Sequence, residues 1–243
     1  MMGIHPIIKL NSRDVLKSSS YLAMVIMMLI IPLNSVIQIL KTNTGPLDYL
    51  AVYILLILNI SIFFFLNMLT ISLIVISEKT TGRCEYYLAN KLEIHKLVKI
   101  YGWSSYLLCI GPILIFDIMI FGYALFTNQK VLIELYLSVS FGCFAVSFIL
   151  FSYFVTSTLT LLSMLSKSPE RIRTYLSVSS VLFIFAATFP GTFIKKLGFT
   201  PDHNSIAWII GSTLLVLAFV CALIRYVLKK KLKNEVVVLS FKQ

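Results

Sequence analysis

Residues 50–76 read LAVYILLILNISIFFFLNMLTISLIVI, twenty-seven consecutive positions without a charged side chain. A helix needs about 20 apolar residues to cross the hydrocarbon core of a bilayer, so this stretch alone is long enough. Five further apolar runs accompany it, at 21–40, 101–126, 131–166, 175–194 and 206–228. Together the six runs hold 152 of the 243 residues. A membrane β-barrel would show shorter segments of alternating polarity, which these are not. The sequence therefore predicts an all-α, polytopic membrane protein with six transmembrane helices and a single transmembrane domain over 1–243.

Composition removes other classes. Only 13% of the residues are charged, against about 25% in a soluble domain. The longest piece outside the runs, 77–100, has 24 residues, well short of the ~40 below which a core rarely closes. A net charge of +11 would suggest nucleic acid in a soluble chain. Here its distribution points to lipid instead. The N-terminal segment, the loop at 77–100, the loop after 166 and the end from Arg225 onward hold 17 of the 21 Lys and Arg residues. Only Lys41, Lys130, Lys195 and Lys196 fall on the other side. Cytoplasmic loops collect Lys and Arg, so both termini are expected in the cytoplasm.

The first run is retained rather than cleaved as a signal peptide, because no small-residue cleavage site comes after it. Cys84, Cys109, Cys143 and Cys221 have no ligand spacing, and His5, His95 and His203 lie far apart. No metal or bound cofactor is expected in this chain.

Two segments read as interfacial helices. Over 1–19, Lys9, Arg13 and Lys17 form one basic stripe, with Ile4, Ile7, Ile8 and Val15 on roughly the opposite face. An anchor on anionic lipid and a helix touching a cytoplasmic partner both fit. In the loop 77–100, a helix from Arg83 to Tyr101 would place Tyr86, Tyr87, Ile94, Leu97, Val98 and Tyr101 on one face, and Glu85, Lys96 and Lys99 on the other. Beyond 229 the chain is a basic tail.

The start of that loop, Glu78-Lys-Thr-Thr-Gly82-Arg-Cys-Glu85-Tyr-Tyr87-Leu88, resembles the pattern after the second span in permeases of type-2, exporter-class ABC transporters. There a Glu closes the span, a Gly stands four residues on, and then come a Glu and a leucine pair. Arg83 stands where Thr is usual, and Lys91 near a common Pro. The six-span layout with an amphipathic helix before the first span is also similar to that family. The resemblance implies that 77–100 is a coupling helix seated in a groove of a separate ATPase subunit. The coupling residues would be Glu78, Gly82, Glu85, Tyr87 and Leu88. It further implies two ATPase subunits per complex, a second copy or a related permease, and ATP with Mg held by the ATPase. The implied location is a bacterial plasma membrane, with no nucleic-acid partner.

Within the spans, Asp117 is the one acid well inside an apolar run. It lies 16 residues beyond Tyr101, about 24 Å along a helix. A charge there is costly, so Asp117 faces protein or water; a proton or ion relay and a protonated acid bonding a neighbouring helix both fit. Phe141, Phe144, Phe148 and Phe151 recur at helical spacing, either lining a path for greasy substrates or packing among helices and lipid. The run at 131–166 would measure about 54 Å as one helix against a core of about 30 Å. Its Ser/Thr-rich end, 157–166, is expected to project. Ser138 and Gly142 have the spacing of a close helix contact. Phe189-Pro190-Gly191 breaks the fifth run, leaving 190–203 as a capping element or an ordinary outer loop.

The resulting expectation is a permease subunit exporting hydrophobic or amphipathic cargo: a peptide toxin, an antimicrobial peptide, a drug or a lipid. Small exporters of amphipathic cytolytic peptides are the nearest likeness. The alternatives are an ion-gradient transporter using Asp117 and a non-transporting immunity or sensor protein. A membrane enzyme ranks last, since no HExxH or nucleophile–base set is present. No GxxxxGK[ST] occurs in the chain. The purified chain alone is thus predicted to show no ATPase activity in a phosphate-release assay, and robust hydrolysis would defeat the permease expectation.

Overall fold

A computed structural model describes residues 4–42, 48–90, 92–166, 174, 178 and 202–232. Among them the regular structure is all helical. α1 (Ile4–Leu16) leads into α2 (Ser19–Thr42) and α3 (Asp48–Ile71). The rod of α3 continues through a π-helical stretch, Ser72–Ile76, into α4 (Ser77–Thr80). Then come the short α5 (Arg83–Ala89), α6 (Ile94–Thr127), α7 (Lys130–Leu137), α8 (Val139–Leu165) and α9 (His203–Lys231). Five of these elements are long and apolar enough to cross a membrane. The chain thus has the make-up of a multi-pass membrane protein. The run predicted at 175–194 apart from residue 178, most of the element at 190–203 and the tail beyond 232 lie outside the described residues.

α3 is the central helix: 61% of its most apolar window is buried, against 17% for α2. It packs on α2, α6, α8 and α9. Phe63 meets Phe148 at 5.9 Å and Phe64 meets Phe151 at 6.1 Å, both edge to face, the favoured geometry of aromatic pairs. The outer faces are apolar too. Ile30 and Ile31 of α2, Ile118 of α6 and Val216 and Phe219 of α9 are exposed, and lipid tails are the solvent that suits such a surface.

Helix order in the bundle is set by backbone hydrogen bonding. Pro112 lies inside α6 and has no N–H, so the carbonyl four residues back loses its helical donor. That carbonyl belongs to Leu108, and the Tyr21 hydroxyl of α2 donates to it at 2.6 Å in a buried bond. α8 and α9 approach closely at Gly211, where a Cβ would come 3.2 Å from Phe144 Cα.

Several sequence-based boundaries change. The run at 131–166 is two helices, because Ser138 adopts an extended conformation and caps α8, its side chain accepting from the Phe141 N–H at 3.1 Å. The break leaves α8 27 residues long, and near its end Thr160, Ser163 and Met164 are buried. Gly142 is exposed and nothing among the described residues lies within 4 Å of where its Cβ would be. The close helix contact expected at Ser138 and Gly142 is found instead at Gly211.

Replacing Tyr21 by Phe is expected to destabilise the protein by about 1–3 kcal/mol, the cost of an unpaired buried carbonyl. The measurement is thermal or denaturant unfolding in detergent. In a Pro112→Ala background, where an N–H is restored to Leu108, the same change should cost much less. Equal costs in the two backgrounds would contradict the bond's assigned role.

Candidate functional site

The π-helical stretch at the end of α3 carries one more residue per turn than an α-helix, so it rotates the next residues by about 100°. Glu78 and Lys79 are thereby turned into the bundle, while Ser77 and Thr80 stay exposed. Gly82 then reverses the chain with φ +74. Nothing among the described residues lies within 4 Å of where its Cβ would be, so the left-handed backbone rather than space calls for glycine. The Gly82 carbonyl accepts from the Tyr86 N–H at 3.1 Å and opens α5.

Electrostatics lock this turn. Lys79 is only 3% exposed. Its Nζ donates to the carbonyls of Ser166 at 2.7 Å and Met164 at 2.8 Å, with Ser163 farther at 3.4 Å. Carbonyls that end a helix have no intrahelical donor and carry the negative end of its dipole. The lysine is therefore the cap of α8. Beside it, Glu78 Oε1 accepts from Arg83 at 3.0 Å, and Oε2 accepts from the Tyr101 hydroxyl at 3.5 Å. The Glu78 hydrogen bond and charge hold the Arg83 guanidinium above its ordinary range, with Asp14 adding to the effect. Burial pushes the Cys84 thiol up to about 11, partly opposed by its bond to Tyr101. α1 closes the site: Ile7 and Val15 are buried, and Lys9, Arg13 and Lys17 point outward, matching the basic stripe read from the sequence. Between α1 and the turn is a polar cavity of about 200 Å³ lined in part by Asn11, Asp14, Glu78 and Arg83.

Of the residues predicted to couple to a partner, Glu78 is buried in the turn and Gly82 makes it. Tyr87 and Leu88 are half-buried against the core. Glu85 is exposed, and so is Tyr86, at 67%. The single helix considered from Arg83 to Tyr101 is in fact two. The Asn90 side chain donates to the Tyr86 carbonyl at 2.8 Å, and Glu93 is extended. Such local bonds compete with helix continuation. Ile94, Leu97, Val98 and Tyr101 are buried because they form the inner face of α6's own first turns. Tyr86 does not share that face.

The second group of predicted residues gathers at the other end of α6. Asp117 Oδ1 accepts from Asn59 Nδ2 at 2.9 Å and from the Tyr136 hydroxyl at 3.1 Å. Asn59 comes from α3 and Tyr136 from α7, so the acid ties three helices together. Asp117, Phe141, Phe144 and Phe148 line one cavity of about 340 Å³. Phe151 does not line it and packs on Phe63 and Phe64 instead. The phenylalanine stripe therefore both packs between helices and walls a cavity.

Sequence pattern alone pointed neither to the Lys79 cap nor to the Asn59 and Tyr136 partners of Asp117. A lysine close after an uncharged run and an asparagine inside one were the visible signals. The described residues define a multi-pass helical membrane protein with a locked turn at its basic end and a solitary acid in an apolar cavity. Comparison with known protein families, curated proteins and solved structures finds no match to this chain.

With its thiol pushed up to about 11, Cys84 holds almost no thiolate at neutral pH, and the thiolate is the reactive form. Maleimide labelling at pH 7.5, with peptide mass spectrometry as the readout, should modify Cys84 at least about tenfold more slowly than a cysteine introduced at the neighbouring exposed position by Glu85→Cys. Equal rates would mean that the turn is open.

Proposed function

We propose that this chain is the transmembrane permease subunit of an ATP-driven exporter of the ABC type. The observation that carries the reading is α5, a short helix between the second and third spans that offers Glu85 and Tyr86 outward. It is fixed to α3 through the Gly82 turn and leads directly into α6. A rigid rod with exposed charge and aromatic surface suits a partner's groove, and its attachment to two spans suits it to pass on a rigid-body movement. The pattern Glu78, Gly82, Glu85, Tyr87 and Leu88, which resembles that of the exporter-class permeases, supports the same reading.

In this reading two cytoplasmic ATPase subunits hold ATP and Mg, and this chain hydrolyses nothing itself. It pairs with a second copy or a related permease in a bacterial plasma membrane, with both termini cytoplasmic. Ser140 bonds Asn204, and Thr158 bonds the Cys221 carbonyl, so α8 and α9 run in the same direction. That supports a further crossing between them and six spans in all. The cargo is hydrophobic or amphipathic, in keeping with the cavity at Asp117. The acid itself favours a second reading, transport driven by an ion gradient; a non-transporting immunity or sensor role would leave the same cavity without any flux.

The test is Glu85→Lys combined with Tyr86→Ala, two exposed positions whose change leaves the buried turn intact. ATPase association should weaken about tenfold or more, as expected for an aromatic and a charged anchor. ATP-dependent export from inverted vesicles should fall with it. Unchanged association and export would refute the coupling role. Transport that survives ATP depletion but stops when the ion gradient collapses would favour the second reading.

A further inference from the structure

The cavity beside Asp117 combines one acid with apolar walls. Its lining includes Phe121, Tyr136, Phe141, Phe144 and Phe148, and among the described residues the only polar side chains in it are Asp117 and Tyr136. No Lys, Arg or His among the described residues lines it. The geometry points to a binding site for a lipophilic organic monocation, an amine or quaternary ammonium whose charge pairs with Asp117 while its apolar body packs on the aromatic rings.

Three observations lead there. The two donors on Asp117, an amide and a phenol, are both neutral and both reach Oδ1. They orient the carboxyl group without supplying a counter-charge, and among the described residues no donor reaches Oδ2. Among the described residues a carboxylate so placed has no counter-ion, and its neighbours leave that role open to a ligand.

The rings supply the second part. Tyr136, Phe141, Phe144 and Phe148 form a chain with centroids 4.5, 5.9 and 5.9 Å apart. Aromatic faces attract organic cations, and most strongly when water is excluded. A volume of about 340 Å³ lies in the range of small-ligand pockets.

The rim decides between kinds of cation. Leu114, Ile118, Leu137 and Ile149 line the cavity and are themselves exposed. Among the described residues its mouth therefore faces the apolar flank that lipid covers. A hydrated metal ion does not reach a site through lipid, and one carboxylate with one phenol falls short of the six to eight oxygens that a hard cation takes. A lipophilic cation concentrates in the bilayer and enters from the side. The inference deepens the exporter reading by naming the chemistry of the cargo, and rests on that reading only for transport after binding.

The experiment uses the full chain in nanodiscs of neutral phosphatidylcholine, with empty nanodiscs as the partition control and no nucleotide or ATPase present. The probes are phenyltrimethylammonium and its uncharged isostere tert-butylbenzene. Saturable binding of the cation, at least about tenfold tighter than the isostere, is expected. Asp117→Asn, which keeps the size and the capacity to accept from Asn59 and Tyr136, should remove that preference and leave the isostere's binding as it was. Equal binding of the two probes to the unaltered chain, binding of neither, or a preference retained in Asp117→Asn would each overturn the proposal. The probe pair on the unaltered chain decides the matter even if the variant fails to insert. Cation binding together with no ATP-dependent export would sink the exporter reading and leave this site standing.

Discussion

Lys79 brings an ammonium group into the bundle where the second apolar run ends, and there it donates to the carbonyls that close α8. Each group answers the other's need. The last carbonyls of a buried helix have no helical donor, and a buried ammonium without acceptors would be costly. Once Lys79 is fixed in this way, the neighbouring Glu78 can only point about 100° around the same helix. That direction is where Arg83 and Tyr101 meet it. The ends of α3 and α8, the start of α6 and the setting of α5 are thus fixed together by one lysine and one glutamate in succession.

The same constraint recurs through the membrane-spanning part, where no water is at hand to satisfy a polar group. Tyr21 fills the gap that Pro112 opens in α6. Asn59 and Tyr136 hold Asp117, and Thr158 of α8 donates to the Cys221 carbonyl of α9 at 3.2 Å. Between helices in lipid the hydrophobic effect discriminates little, because lipid tails are as apolar as leucine. Polar bonds and close packing at Gly211 therefore specify which helices are neighbours, while the aromatic contacts of Phe63 and Phe64 fill the space those bonds leave.

The same division separates the features legible in the sequence from those that were not. The multi-pass helical make-up was legible because crossing the core sets a length threshold, which five helices among the described residues meet. The basic face of α1 and the turn at Gly82 were legible because periodicity and a lone glycine are local signals. The single helix considered from Arg83 to Tyr101 failed for a nonlocal reason. Ile94, Leu97, Val98 and Tyr101 keep helical spacing with Tyr87, but they belong to the inner face of α6, and Asn90 ends α5 before the pattern can carry through. The phenylalanine stripe was ambiguous for want of partners: Phe144 and Phe148 wall a cavity only because Ser138 breaks the long run and lets α7 bring Tyr136 over Asp117. Asn59 in its span calls for a polar partner, and only the packed bundle shows that Asp117 is one.

α6 carries both ends of this arrangement. Tyr101, in contact with Glu78 and Cys84, and Asp117, in contact with Asn59 and Tyr136, are separated by 16 residues of helix, about 24 Å. Pro112 lies between them, and prolines are where helices bend. Tyr21 grips the helix at that level from α2. If a partner pushes on α5, the displacement enters α6 below the proline through Tyr101 and enters α8 through the Lys79 cap. α8 carries Phe144 and Phe148, and α6 carries Asp117, so both walls of the cavity stand on helices anchored at the same turn. A shift of that turn would therefore change the spacing between the acid and the rings, and with it the fit of the proposed cation.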